Sequence, residues 1–190
     1  MLTRYFRQTL FIIAALSAGQ TSFCQTKDTI PSDFGIQKGN LIKVTKENLE
    51  AIIINSIDQP EKGKISFPSN PWTTCNQDSA FFKLDTLYFC TNSYYYQRNS
   101  NCCQFISWTF YDSNSLIKVE DQTCKEPSSA KAYKTDDNFK FQLSENNNQV
   151  LIQTFNDKKP IDNFKVLSIE RLKKSNSNGE FDKVTLVRQK

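Results

Sequence analysis

Phe105-Ile106-Ser107-Trp108-Thr109-Phe110 sets Ile106, Trp108 and Phe110 on one side of an extended chain and Ser107 and Thr109 on the other. A second stretch, Phe139-Lys140-Phe141-Gln142-Leu143-Ser144, does the same. Strict alternation of bulky apolar and polar side chains marks a strand with one buried face. The same period runs from residue 64 to the C-terminus. It predicts strands over 64–67, 79–91, 103–111, 115–122, 131–134, 138–144, 150–156, 163–172 and 181–188. Asp112-Ser113-Asn114, Asn146-Asn147-Asn148 and Asn176-Ser177-Asn178-Gly179 fall between neighbouring strands, and Asn and Gly supply the positive backbone angles of tight turns. Strands joined in this way pair antiparallel. The expected fold is mainly β, an antiparallel meander that closes into a small barrel or packs as a sandwich.

One short helix is expected before the strands. Thr45 can cap it, and Leu49, Ile52, Ile53 and Ile57 repeat at the spacing of one buried face. Ile52-Ile53-Ile54 is also a β-branched run that suits a strand, and either element ends at Pro60 and Gly63.

The first 24 residues have the order of a secretory signal peptide: Arg4 and Arg7, an apolar run from Leu10 to Ala18, and a small polar stretch ending at Cys24. The run is about nine residues, whereas a membrane-crossing helix needs roughly 20. Export to the periplasm or the extracellular space is expected, with Gln25 as the new N-terminus. A lipoprotein reading would keep Cys24 as an acylated first residue, but Phe23 stands where such sites carry a small side chain. Residues 25–40 are polar, lack any period and are expected to be a flexible lead-in, leaving 41–190 as a single β-rich domain. Without the signal, 22 basic and 20 acidic residues remain, and a net charge of +2 is too small for a nucleic-acid or membrane footprint.

Five cysteines follow Cys24, and in an oxidising compartment bridges are their expected fate. Cys102 and Cys103 are adjacent, so on a strand they point to opposite faces and seek different partners. Cys90 closes the apolar run Leu87-Tyr88-Phe89-Cys90 and suits a buried thiol. Cys75 with Cys102 and Cys103 with Cys124 is the expected pairing.

The chain contains no histidine. That removes Ser-His-Asp and Cys-His nucleophilic sites and nearly all catalytic zinc sites. No Gly-rich phosphate loop occurs. Paired carboxylates remain as a route to catalysis, with Glu120-Asp121, Asp136-Asp137 and Asp85 as candidates, but neighbours on a strand face opposite ways and the others read as surface groups. No enzymatic activity, cofactor or metal is expected. Trp108, Phe110, Phe139 and Phe141 are the expected lining of an interior that holds a small apolar ligand. Tyr94-Tyr95-Tyr96, placed in a loop between Cys90 and Cys102, offers contact area for a protein partner, unless two of the three pack beneath the loop.

From Phe105 onward, the Trp108-Thr109-Phe110 strand, Tyr133, and a closing hairpin of Phe164-Lys165-Val166-Leu167-Ser168-Ile169 with Lys183-Val184-Thr185-Leu186-Val187-Arg188 resemble bacterial lipocalin-like domains. The likeness covers about half the mature chain. Such domains usually open with a Gly-x-Trp strand, which is absent here, and the cysteine-rich stretch lies outside the pattern. The resemblance implies a small barrel or half-barrel with a helix near its N-terminus and implies no activity. Two functions are therefore expected in competition: an exported, non-enzymatic binder of a small apolar ligand, and an envelope interaction protein, such as an inhibitor or immunity-type factor, acting through the tyrosine loop.

Overall fold

The computed structural model describes residues 36–37, 39–57, 70–124, 129–132, 138–174 and 179–190. The expected signal peptide, strand 64–67, Tyr133, Asp136 and Asp137, and residues 25–35 of the lead-in lie outside the described residues. In chain order the elements are β1 (Ile36–Gln37), β2 (Leu41–Ile42), α1 (Lys46–Ser56), β3 (Trp72–Cys75), α2 (Ala80–Lys83), β4 (Thr86–Cys90) and α3 (Ser93–Asn99). They continue with β5 (Gln104–Asp112), β6 (Ser115–Gln122), β7 (Ser129–Ala132), β8 (Asn138–Asn146), β9 (Gln149–Asn156), β10 (Lys159–Lys174) and β11 (Glu180–Arg188).

Eight of these strands form a closed antiparallel barrel in the order β3-β5-β6-β8-β9-β10-β11-β4. Closure between the two ends of the sheet path is the β9–β10 ladder, which pairs Phe164 with Ile152 and Lys165 with Leu151. A barrel, and not a sandwich, is thus the outcome. From β5 to β11 the barrel follows the expected meander. Asn147 and Asn148 both take positive φ (50° and 60°) in the β8–β9 turn, the conformation that lets a two-residue hairpin match strand twist. β10 is long enough for its first part to pair with β9 and its last part with β11. Past Lys165 its edge would stand open, and β2 and β1 pair with it there. The end of the expected lead-in is therefore part of the sheet. Gly39 joins these two short strands where a Cβ would fall on the Arg171 carbonyl, so only glycine fits.

The meander breaks at its N-terminal end. β3 lies between β4 and β5 and is antiparallel to both, so β4 and β5 run in the same direction. Parallel strands need a crossover, and α3 supplies it by packing over β3. The expected tyrosine loop is thus a helix, capped by Asn92, whose Oδ1 accepts the Tyr95 N–H at 3.0 Å. Tyr95 meets Phe181 at 5.3 Å and Tyr96 meets Phe105 at 6.0 Å between ring centroids. Phe105 shares its sheet face with Cys75 and Asp121, opposite to Ile106 and Trp108, so α3 covers the outside of the wall. Cys75–Cys102 ties the end of β3 to the end of this crossover, and Cys103–Cys124 ties the start of β5 to the chain leaving β6. Cys90 stays outside both bridges, buried with Leu172 and Phe181 under Tyr95 and Tyr96.

The expected strand over 79–91 is only half strand. Asp78 and Ser79 take left-handed angles (φ 55° and 62°), and Asn76 Oδ1 accepts the Phe81 N–H at 3.1 Å. These local bonds turn the chain into a 3-10 turn and the one-turn α2 before β4 begins. β3 itself was not expected, because four residues are too few to display a period. The helix reading of residues 46–56 holds: Thr45 Oγ1 accepts the Asn48 N–H, and Leu49, Ile52 and Ile53 are buried.

The crossover account makes a direct prediction. Replacing Cys75 and Cys102 with serine is expected to lower stability by about 3 kcal/mol and to speed labelling of Cys90 by a thiol reagent, because α3 loses its tether. Unchanged labelling would mean that α3 is held without the bridge.

Candidate functional site

Eight strands enclose an interior just wide enough for side chains to fill it, and here aromatic rings do so. Trp72, Phe89, Trp108, Phe110, Phe139, Phe141 and Phe164 all belong to the buried core, as do Leu49, Ile52 and Ile53 of α1. Phe110 meets Trp72 at 5.0 Å and Phe141 at 5.3 Å, while Trp108 meets Phe89 at 4.5 Å and Phe164 at 5.6 Å. The four residues expected to line a ligand cavity are thus brought into one buried cluster, where Phe110 packs on Phe141 and Trp108 on Phe89 and Phe164. Trp72 is anchored further: its Nε1 donates to Ser56 Oγ (2.9 Å), and the Ser56 hydroxyl donates to the Ile52 carbonyl.

Polar groups also face this interior. Across the β5–β6 ladder Lys118 opposes Trp108 and Glu120 opposes Ile106, so both share the inward face. Lys118 Nζ lies 4.8 Å from the Phe139 ring centre and 5.7 Å from that of Phe81. On β10 and β11 Arg188 opposes Phe164, forms an ion pair with Asp162, and lays its guanidinium over Phe164 (4.8 Å) and Phe81 (5.4 Å). The sequence singled out neither Lys118 nor Arg188 as an inward group, and Glu120 only as half of a carboxylate pair with Asp121. Pairing outward from the Asp112-Ser113-Asn114 turn would have found Lys118 and Glu120, since Leu116 then opposes Phe110 and Lys118 opposes Trp108.

The open concavity beside this cluster is a groove of about 580 Å³ at the seam of β6 and β8, lined by Leu116, Ile117, Phe139, Tyr111, Lys140 and Asp157 among others. β6 and β8 pair over only Ser115–Ile117, after which β6 turns its edge to β7. The short ladder leaves Phe139 as part of the groove wall. Lys140 Nζ donates to Ser115 Oγ at 2.6 Å on the rim, and in the adjoining β5–β6 turn Asp112 Oδ1 accepts the Asn114 N–H at 2.8 Å. That backbone hydrogen bond, outweighing the effect of burial and helped by the Ser115 hydroxyl and the Lys140 charge, holds the Asp112 carboxyl below its ordinary range.

The tyrosines divide. Tyr95 and Tyr96 are half-buried against the barrel wall, and only Tyr94 stands out, 73% exposed, with its hydroxyl accepting from Arg98 Nη1 at 3.3 Å. Glu120 and Asp121 do face opposite ways: Asp121 accepts from Ser107 Oγ (2.6 Å) on the outer face, while Glu120 accepts weakly from Asn76 Nδ2 (3.4 Å). Asp85 is an exposed partner of Lys190. Among the described residues no group of three or more His, Cys, Asp or Glu could hold a metal ion, and no helix is long and apolar enough to cross a membrane.

No family model, curated protein or solved structure matches the chain.

The β5–β6 turn beside the groove has a pH signature. A carboxyl depressed in the folded state adds stability above its unfolded value of about 3.9, and the contribution disappears as pH falls through the folded value. Asp112→Asn is therefore expected to lower the Tm at pH 7, with the difference from wild type shrinking below about pH 3.9. A constant difference across that range would show that Asp112 acts without its charge.

Proposed function

We propose that this protein is exported and works without catalysis, as a lipocalin-like barrel that holds a small, mostly apolar ligand in the groove between β6 and β8. The supporting observation is the groove itself. Its volume of about 580 Å³ falls within the roughly 300–1,000 Å³ of small-ligand sites. Leu116, Ile117 and Phe139 give it an apolar floor and wall, and Ser115, Asn138, Lys140 and Asp157 give it a polar rim. A packed aromatic core beneath would keep that floor rigid, which lowers the ordering cost of binding. The absence of histidine from the chain favours the non-catalytic part of the reading.

A second reading, an envelope protein that binds a protein partner, draws on α3. Tyr94 is presented on a helix whose other two tyrosines are tucked against the wall and whose far end is tied by Cys102. Rigid, amphipathic contact area of this type suits a protein interface.

Native mass spectrometry of protein recovered from its own host separates the two. The expected result is a chain beginning at Gln25 that carries a small molecule, lost in Phe139→Asp and retained in Tyr94→Ala. A stoichiometric protein partner lost in Tyr94→Ala would select the second reading, and a diacylglyceryl group on Cys24 would replace free export with membrane attachment.

A further inference from the structure

Among the described residues Phe81 is the one ring of the main buried core that no strand carries. It enters the interior from α2, just after the two left-handed residues Asp78 and Ser79, and meets Phe89 at 6.4 Å and Trp108 at 6.5 Å. Two side chains latch it: Asn76 Oδ1 accepts its N–H at 3.1 Å, and Arg188 Nη2 donates to its carbonyl at 2.9 Å. Around this ring sit hydrogen-bond donors without acceptors. Trp108 Nε1, on a side chain only 1% exposed, has no partner, and neither has the buried Arg188 Nε. Both residues touch the same two rings, Phe81 and Phe164. A buried N–H left unpaired is costly, whereas the other tryptophan of the chain has its Ser56 acceptor.

We infer that Phe81 is a removable plug and that its place is an interior ligand site, whose occupant presents an acceptor oxygen to Trp108 Nε1 and Arg188 Nε. This deepens the reading of the protein as a small-ligand binder and rests on it. The chemistry of the occupant follows from the charges. Lys118 and Arg188 face inward with Glu120 and Asp162, two positive groups and two negative. An anionic ligand would add an uncompensated charge to a buried region. A neutral carbonyl compound with a body about the size of the Phe81 ring supplies the acceptor without one. Such a molecule would lie between Phe89, Trp108 and Phe164, near Lys118 and the Phe139 ring, which also lines the groove.

The test uses the disulfide-bonded protein labelled with ¹⁵N and three probes built on one benzene ring: methyl benzoate, toluene and benzoate. The two indole N–H signals report separately on Trp72 and Trp108. Methyl benzoate is expected to bind at least about tenfold more tightly than toluene, the worth of one buried N–H regaining an acceptor. It should move the Trp108 indole signal and leave that of Trp72 in place. Phe81→Ala should bind the ester about tenfold more tightly again, having no plug to displace. Trp108→Phe should keep the site and abolish the preference for ester over toluene, an arm that stands even if Phe81→Ala fails to fold. Equal binding of ester and toluene, a stationary Trp108 signal, or binding confined to Phe81→Ala would overturn the plug. Tighter binding of benzoate would overturn the neutral ligand. A ligand found on host-derived protein together with a stationary Trp108 signal would leave the groove standing and remove only this inference.

Discussion

The contact of Trp108 with Phe89 and Phe164 is the constraint on which the rest of the barrel turns. One indole on β5 is packed against rings from β4, on the same side of the wall, and from β10, across the barrel. An eight-stranded barrel that failed to fill this space would lose the dispersion and hydrophobic terms that offset closure. Removing one such ring to a methyl costs about 3–5 kcal/mol in typical cores, a large part of the 5–15 kcal/mol by which small domains are stable. The disulfides act elsewhere. They hold α3 and the start of β5 on the outer face, where the buried cluster is small and the β4-to-β5 crossover has little apolar surface to fix it.

What could be read in the sequence was whatever repeats. Phe139/Phe141/Leu143 and Ile106/Trp108/Phe110 display the inward face over three turns of the period, and β5, β6, β8, β9 and β11 lie within a residue or two of their expected bounds. Geometry made part of the cysteine pairing legible, since adjacent Cys102 and Cys103 must seek different partners, but it did not choose between Cys75 and Cys124 for each of them. What could not be read was set by contacts distant in sequence. Trp72–Cys75 becomes a strand because β5 pairs with it, and Ser79–Lys83 fails to become one because Asn76 captures the Phe81 N–H. Ser93–Asn99 looks like a loop in composition, and it is a helix because a parallel pair with a strand between needs a bridge.

The same limit applies to the site. Aromatic residues identified the interior, but composition does not say whether an interior is hollow. Here aromatic rings pack against one another, and a ligand is proposed instead for the seam where β6 leaves β8 for β7 and for the position of Phe81 on α2. Lys118 and Arg188 look like surface residues when counted with the other basic groups. Only register puts them opposite Trp108 and Phe164. Polar groups inside a wall of this kind are costly unless they meet partners, and they carry chemistry that the rings alone do not.

Closure of the wall is the claim on which both the filled interior and the sites built around it depend. Native-state hydrogen exchange, read amide by amide, tests it at the β9–β10 ladder, where Leu151 and Ile152 pair with Lys165 and Phe164. Protection there equal to that of the β4–β11 ladder, with exchange only through global unfolding, is the result a closed barrel requires. Rapid exchange of the β9–β10 amides while β4–β11 stays protected would mean an open sheet, and would contradict the account.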